Sequence, residues 1–166
     1  MAIVYLSTGS NLGDREAALS QALTALNNQA GKVIRCSSIY ETEPWGFNAE
    51  LNFLNQVLIL RTSLTPDMLN ATIHGIEKEM GRSRNSPAYE SRIIDIDILL
   101  YGRQIISREG LLIPHPRLHQ RKFVLVPLAE ISPGRIHPVL KRKISSLLES
   151  VDDECTVRVW KKAAEI

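Results

Sequence analysis

Three segments among the first 60 residues are rich in β-forming side chains, and a fourth carries leucines along one helical stripe. This pattern predicts a strand, a helix and two further strands, in that order, at residues 2–8, 14–28, 33–40 and 53–60. Asp14 can cap the helix at its start, and Gly31 can end it. The loop before the last of these strands is rich in aromatic residues, which is unusual for a simple connection.

A second helix and a fourth strand follow. Thr65 and Pro66 suit the N-cap and the first position of a helix, apolar side chains then recur at helical spacing, and Gly81 ends the helix. Residues 93–101 predict the fourth strand, with a short strand partner around residues 104–106. The order strand-helix-strand-strand-helix-strand is that of the ferredoxin-like split βαβ motif. We therefore expect an α+β sandwich in which helices pack on an antiparallel sheet.

Composition limits the organisation of the chain. The 166 residues are 44% apolar with a net charge of only +2, which argues against disorder and predicts one domain over residues 1–166. A C-terminal extension carries a predicted helix at 141–149 and a short strand near 157–160. Because the sequence shows no membrane span or signal peptide, and because Cys36 and Cys155 lie far apart, we expect a cytoplasmic protein with free thiols.

Two carboxylates lie on the predicted fourth strand. Alternate residues of a strand share a face, so Asp95 and Asp97 project together, about 6.5–7 Å apart along the chain. The opposite face is apolar and is expected to be the core: Ile94, Ile96, Ile98 and Leu100. Two carboxylates on one face repel each other unless a cation is near, and Mg²⁺ is commonly held by such a pair together with substrate phosphates. The alternative is a solvent-facing polar edge.

Arginines surround this carboxylate pair. Residues 82–122 contain 8 basic and 4 acidic side chains, although the whole chain has 20 and 18, and 7 of those 8 are Arg. The guanidinium fork binds phosphate or carboxylate in a bidentate manner. Arginines together with Mg²⁺ supply the charge neutralisation that phosphoryl transfer needs, whereas a solvated basic face is the simpler interpretation.

Two pairs of residues that include histidine carry possible site chemistry. His115 and His119 have a spacing that could bind zinc on a helix, but Pro116 lies between them and no third ligand is nearby, which favours a phosphate-contacting or structural histidine. His74 and Glu77 share one face of the second helix, beside its apolar stripe. An ordinary solvated helix face is the alternative for this second pair.

Aromatic residues suggest a second ligand. Phe53 and Phe123 are core residues by default, but Asn55 follows Phe53 on the same strand face and could read the hydrogen-bonding edge of a flat heterocycle. The loop around Trp45 and the polar segment 82–92 are expected to act as lids that exclude water from a bound polyphosphate.

Assembled in order, these segments resemble the 6-hydroxymethyl-7,8-dihydropterin pyrophosphokinase family. The matching segments span roughly residues 2–140 and lie at 9–13, 38–42, 53–56, 92–99, 114–125 and 127–131. The resemblance implies the ferredoxin-like fold and a step of folate biosynthesis. In that step the pyrophosphoryl group of ATP is transferred to 6-hydroxymethyl-7,8-dihydropterin, giving AMP and the pterin diphosphate.

The same resemblance implies roles for individual residues. Two Mg²⁺ ions would be held by Asp95 and Asp97, and charge on the transferring group would be neutralised by Arg82 and Arg92. The implied ATP contacts are His74 (where Gln is common), Glu77, Arg84, Ile98, His115 and Arg121. The implied pterin site consists of Phe53 and Phe123 on the two ring faces, Asn55 and Thr42 at the ring edge, and Trp45 in the adjoining loop.

Departures and rival functions remain. Residues 88–91, Gly110 and Leu112 differ from the family pattern, so we expect weaker ATP binding than in a fully matched member. One alternative function is a metal-dependent phosphohydrolase, which would leave the aromatic residues without a role. The other is an RRM-like nucleic-acid-binding module, but the carboxylates on the fourth strand would repel the nucleic-acid backbone. The expected partners are the two small substrates, with no nucleic acid or membrane and a monomeric protein.

Overall fold

The structure is a computed structural model that describes residues 1–44, 51–81 and 93–164. Its strands are β1 (Ala2–Ser10), β2 (Lys32–Cys36), β3 (Ile39–Thr42), β4 (Phe53–Thr62), β5 (Asp95–Tyr101), β6 (Ile106–Arg108), β7 (Leu111–Ile113) and β8 (Val157–Lys161). Its helices are α1 (Arg15–Gln29), α2 (Pro66–Glu79), α3 (Lys122–Ile131) and α4 (Ile144–Ser150), with a 3₁₀ turn at Leu118–Gln120. Asp14 and Thr65 cap α1 and α2 through their side chains, as the sequence predicts.

The main sheet has the order β5-β1-β4-β3-β8, and β2 also pairs with β4. Every strand pairing in it is antiparallel. Helices α1 and α2 cover one face, and α3 and α4 cover the other. The predicted α+β, ferredoxin-like fold is confirmed, with β8 of the C-terminal extension added beside β3.

The prediction of one strand over residues 33–40 is wrong, because this segment forms the separate strands β2 and β3. At the break, the Ser37 hydroxyl accepts a hydrogen bond from the Val57 N–H (2.9 Å) and donates one to the Ser38 carbonyl (2.7 Å). A buried side chain thus takes the place of a backbone group in the ladder. The sequence pattern cannot show this substitution, because serine is also compatible with an uninterrupted strand.

Two expectations about the fourth predicted strand also need correction. A register shift between Tyr5 and Leu6 of β1 forms a bulge, so Leu100 packs with Leu99 in the core beneath α3 and α4. The other three predicted core residues do lie beneath α1 and α2: Ile94, Ile96 and Ile98. The short strand expected around 104–106 is β6, at 106–108, and it pairs with β7 in a separate two-stranded sheet.

Helix α3 is absent from the sequence prediction. It contains Pro127, a residue that normally breaks helices, and its apolar residues form a nearly continuous run. The Lys122 N–H at its first turn donates to the Asp153 carboxylate (2.8 Å), a contact between segments far apart in sequence. The described residues contain no helix that is long and apolar enough to cross a membrane.

Gly31 follows the C-terminal end of α1, and we expect its substitution to destabilise the fold. Its φ is +150°, and a Cβ there would lie 2.4 Å from the Arg61 carbonyl oxygen. We expect Gly31→Ala to lower the free energy of unfolding by about 2–4 kcal/mol. Urea unfolding measures this, with Gly75→Ala as the control because its Cβ meets nothing within 4 Å. Equal stability of the two variants would contradict the steric explanation.

Candidate active site

Four residues lie in a row across neighbouring strands at one end of the sheet. In register, Tyr40 of β3 pairs with Asn55 of β4, Asn55 pairs with Gly9 of β1, and Gly9 pairs with Asp95 of β5. Paired residues of antiparallel strands project to the same face. Asp97 shares that face with Asp95, because the intervening Ile96 is buried on the opposite side. The structure therefore brings the two carboxylates and Asn55 together on the face that α3 covers.

Gly9 allows the side chains of β4 to lie directly over β1. A Cβ at Gly9 would be 2.8 Å from Asn55 Oδ1 and 3.7 Å from Phe53 Cδ1. Asn55 Nδ2 donates a 2.6 Å hydrogen bond to Thr42 Oγ1, and both residues are buried. This bond fixes the orientation of the amide. Phe53 is only partly buried, so it is not an ordinary core residue.

Phe123 comes to this face from the first turn of α3. It is partly buried and packs at the margin of the core beneath α3 and α4. The Arg121 guanidinium lies 5.5 Å from the centroid of its ring, within the range of a cation–π contact. The charge of Arg121 also lowers the pKa of His115, so Arg121 acts on both residues.

A polar cleft of about 720 Å³ adjoins Asp97. It lies between α2, the edge strand β5 and the segment that includes β6 and β7. Of the residues named from the sequence for ATP or metal, it is lined by His74, Glu77, Asp97, Ile98 and His115. The cleft therefore reaches the carboxylate pair at Asp97, which shares its strand face with Asp95.

Glu77 connects α2 to the edge strand. It is 1% exposed, and its Oε1 accepts a 2.9 Å hydrogen bond from the Ile96 N–H. The alternative interpretation of a solvated helix face is therefore wrong for Glu77, while His74 is half-buried. Because β5 is an edge strand and its Ile96 N–H points outward to Glu77, the backbone of Ile98, two residues on, also faces the cleft.

His115 presents a neutral imidazole to the carboxylates. Burial, and then the Arg121 charge, lower the pKa of His115 to about 4. Its Nδ1 accepts from the Arg117 backbone N–H (3.1 Å), which assigns the proton to Nε2, 4.0 Å from Asp97 Oδ2. At neutral pH this contact is therefore not an ion pair. His115 offers a fixed N–H donor instead.

The low pKa of His115 predicts a loss of stability below neutral pH. Between the folded value of about 4 and the ordinary value of 6.5, only the unfolded chain binds the proton, so stability falls as the pH falls through this window. Between pH 7 and pH 5, we expect the free energy of unfolding of the metal-free protein to fall by about 1–2 kcal/mol more than that of His115→Gln. Urea unfolding at the two pH values measures this, and parallel behaviour of both proteins would contradict it.

The described residues contain no group of three or more His, Cys, Asp or Glu side chains arranged for a metal ion. His119 packs edge-on against His137 (6.1 Å between ring centroids) and does not join His115 in a metal-binding group. Any ion at Asp95 and Asp97 would have to complete its shell with substrate and water oxygens. Mg²⁺ accepts such a shell, and Zn²⁺ in structural sites does not.

Some predicted site residues lie outside the described part of the chain, and the prediction overlooked others inside it. Those outside are Trp45, Arg82, Arg84 and Arg92. Sequence reasoning overlooked the close approach at Gly9 and overlooked Asn70, which lines the cleft. Asn70 precedes His74 by four positions on α2, so helical spacing could have identified it. Nothing in the sequence around Gly9 indicates that the Asn55 side chain of β4 packs directly against it.

The fold and this site define an enzyme of the ferredoxin-like α+β class with a polar cleft beside paired strand carboxylates. The family model for 7,8-dihydro-6-hydroxymethylpterin-pyrophosphokinase (HPPK) matches residues 5–133. The chain belongs to this family, and its enzyme class is that of the pyrophosphokinases of folate synthesis.

Two relatives illustrate the similarity. The 2-amino-4-hydroxy-6-hydroxymethyldihydropteridine pyrophosphokinase of Porphyromonas gingivalis is 49% identical over 142 residues, which cover 83% of this chain and 95% of the relative. The Bacillus subtilis protein with the same description is 42% identical over 165 residues, covering 99% and 93%. Most of each relative's length is therefore matched.

A solved structure supports the fold. The chain superposes on the crystal structure of wild-type Plasmodium falciparum HPPK-DHPS with SDX-DHP with a TM-score of 0.72 and 20% identity. The match covers 90% of this chain and 43% of that one, so the chain spans less than half of the solved protein. At this identity the likeness shows the fold alone.

Proposed function

We propose that this protein transfers the pyrophosphoryl group of ATP to 6-hydroxymethyl-7,8-dihydropterin, with Asp95 and Asp97 binding Mg²⁺. The products are AMP and the pterin diphosphate. One observation carries the proposal: Asn55 of β4 and Asp95 of β5 are both register partners of Gly9. They therefore lie on one face of the sheet, on the two strands that flank β1. A ring held at Asn55 would present its substituent towards the carboxylates.

The pterin side of the site is suited to a flat heterocycle. The buried Asn55–Thr42 pair offers an amide and a hydroxyl held in fixed positions by their mutual hydrogen bond. Phe53 and Phe123 are both partly buried and supply aromatic surface from the sheet and from α3. These features support pterin binding and have no role in a simple phosphohydrolase.

The ATP side is the cleft along β5. The outward backbone of Ile98 can hydrogen-bond a nucleobase edge, because an edge strand leaves such groups without a partner strand. His115 supplies a neutral N–H donor beside the carboxylates. Phosphates in this cleft would meet His115 and the metal-binding carboxylate Asp97, and the charge of Arg121, which acts on His115, would favour them.

The carboxylate pair fits Mg²⁺ on its donor chemistry. Asp97 has 38% of its side chain exposed, so it can reach substrate as well as cation. Bound Mg²⁺ would neutralise phosphate charge as the pyrophosphoryl group transfers. The proposed number of ions is two, and the proposed arginine partners are Arg82 and Arg92. We also propose that the protein acts in the cytoplasm as a monomer on small-molecule substrates.

Nucleotide analysis of a reaction with ATP, Mg²⁺ and 6-hydroxymethyl-7,8-dihydropterin tests the function. We expect AMP to form only when both the pterin and Mg²⁺ are present, and excess chelator to stop the reaction. Formation of ADP, or of free phosphate without the pterin, would support a phosphohydrolase instead. Activity that requires RNA would support the nucleic-acid module.

A further inference from the structure

A carboxylate on α3 connects the two sides of the pterin site. Glu130 accepts hydrogen bonds from the Ser38 N–H (3.0 Å), the Ser38 hydroxyl (2.8 Å) and the Tyr40 hydroxyl (2.8 Å). Ser38 and Tyr40 are 6% and 8% exposed, although Glu130 as a whole is an exposed residue. Burial and this carboxylate raise the pKa of Tyr40, so its hydroxyl remains a donor.

The two elements joined by Glu130 carry opposite parts of the proposed pterin site. Helix α3 carries Phe123 in its first turn, and β3 ends at Thr42. Tyr40 is the register partner of Asn55, and Asn55 donates to Thr42. A continuous set of contacts therefore runs from Glu130 through Tyr40 to the amide proposed to hold the ring edge.

We propose that Glu130 is a positioning residue for the pterin site, holding α3 against β3 so that Phe123 and the Asn55–Thr42 pair face the same ring. This inference rests on the proposed function and assigns to Glu130 a role in binding the pterin without touching it. None of the residues that line the ATP cleft belongs to α3 or β3. The proposed ATP contact Arg121 directly precedes α3, at the end of the helix far from Glu130, so we expect the loss of Glu130 to affect mainly the binding of the pterin.

Steady-state kinetics with both substrates test the inference. We expect Glu130→Ala to raise KM for the pterin about 10-fold to 100-fold, because a charge-assisted set of hydrogen bonds is lost, and to change KM for ATP by less than about 2-fold. Glu130→Gln keeps an acceptor oxygen and should restore most of the affinity. Tyr40→Phe removes one hydroxyl only, remains informative if Glu130→Ala does not fold, and should raise the same KM by about 3-fold.

Arg35→Ala is the matched control. Arg35 also ties α3 to the sheet, through a 3.1 Å hydrogen bond from its guanidinium to the Ile131 carbonyl, but it does so at β2. We expect this variant to leave the pterin KM unchanged. A rise equal to that of Glu130→Ala, or equal changes in both KM values for Glu130→Ala, overturns the inference while leaving the function intact. A wild-type protein that forms no AMP overturns both.

Discussion

Replacing Asp97 by Asn should lower kcat on the order of 10³-fold, and replacing Asp95 by Asn should do the same, without loss of thermal stability. The amide has the same shape as the carboxylate but neither binds Mg²⁺ well nor balances its charge. In the metal-free protein the two carboxylates share one strand face, so removing one charge relieves repulsion. The melting temperature should therefore stay the same or rise slightly.

Kinetics, together with thermal unfolding in the presence and absence of Mg²⁺ and an ATP analogue, measure this result. The matched control is Asp152→Asn, an exposed carboxylate in the C-terminal extension away from the cleft. It should retain wild-type kcat. If either strand variant loses several degrees of melting temperature, or retains more than about a tenth of wild-type kcat, the carboxylates are structural and the metal site is wrongly assigned.

Replacing Gly9 by Ala should lower kcat/KM for the pterin by about 10²-fold while changing the KM for ATP little. The new methyl carbon would lie 2.8 Å from Asn55 Oδ1, so the amide has to move from the position that its bond to Thr42 defines. The substitution should therefore weaken the binding of the pterin ring edge. The ATP cleft does not include Gly9 or Asn55.

A double-mutant cycle with Asn55→Ala identifies the cause of this loss. If displacement of the amide is responsible, the double variant should be no worse than either single variant, because the alanine at 55 removes the clash. Gly134→Ala is the control for glycine substitution, since its Cβ meets nothing within 4 Å. Additive losses in the cycle, or unchanged pterin kinetics in Gly9→Ala, would contradict the close-approach argument.

Local periodicity predicted the parts of the site that depend on one segment. Asp95 and Asp97 share a face because residues two apart in any regular strand do so, whatever the neighbouring strand. The prediction for Leu100 is wrong because the bulge depends on how β5 pairs with β1, which the sequence of β5 alone does not encode. Helix α3 was not predicted, since Pro127 and a long apolar run obscure its amphipathic pattern.

The burial of Glu77 could not be predicted for a similar reason. Helical spacing puts it beside the apolar stripe of α2, where a carboxylate is normally solvated. It is buried because an edge strand offers it the Ile96 N–H. That partner is 19 residues away in sequence. Contacts between distant elements form both the cleft and the row of residues across Gly9. These features can therefore be identified only from the folded structure.

The destination of the two terminal phosphorus atoms of ATP tests the central claim most directly. Purify the pterin after turnover, and determine its mass and its phosphorus NMR spectrum. The account predicts one pterin that carries two coupled phosphorus atoms for each AMP formed. A pterin monophosphate formed with ADP, or an unmodified pterin beside free phosphate or pyrophosphate, would contradict it.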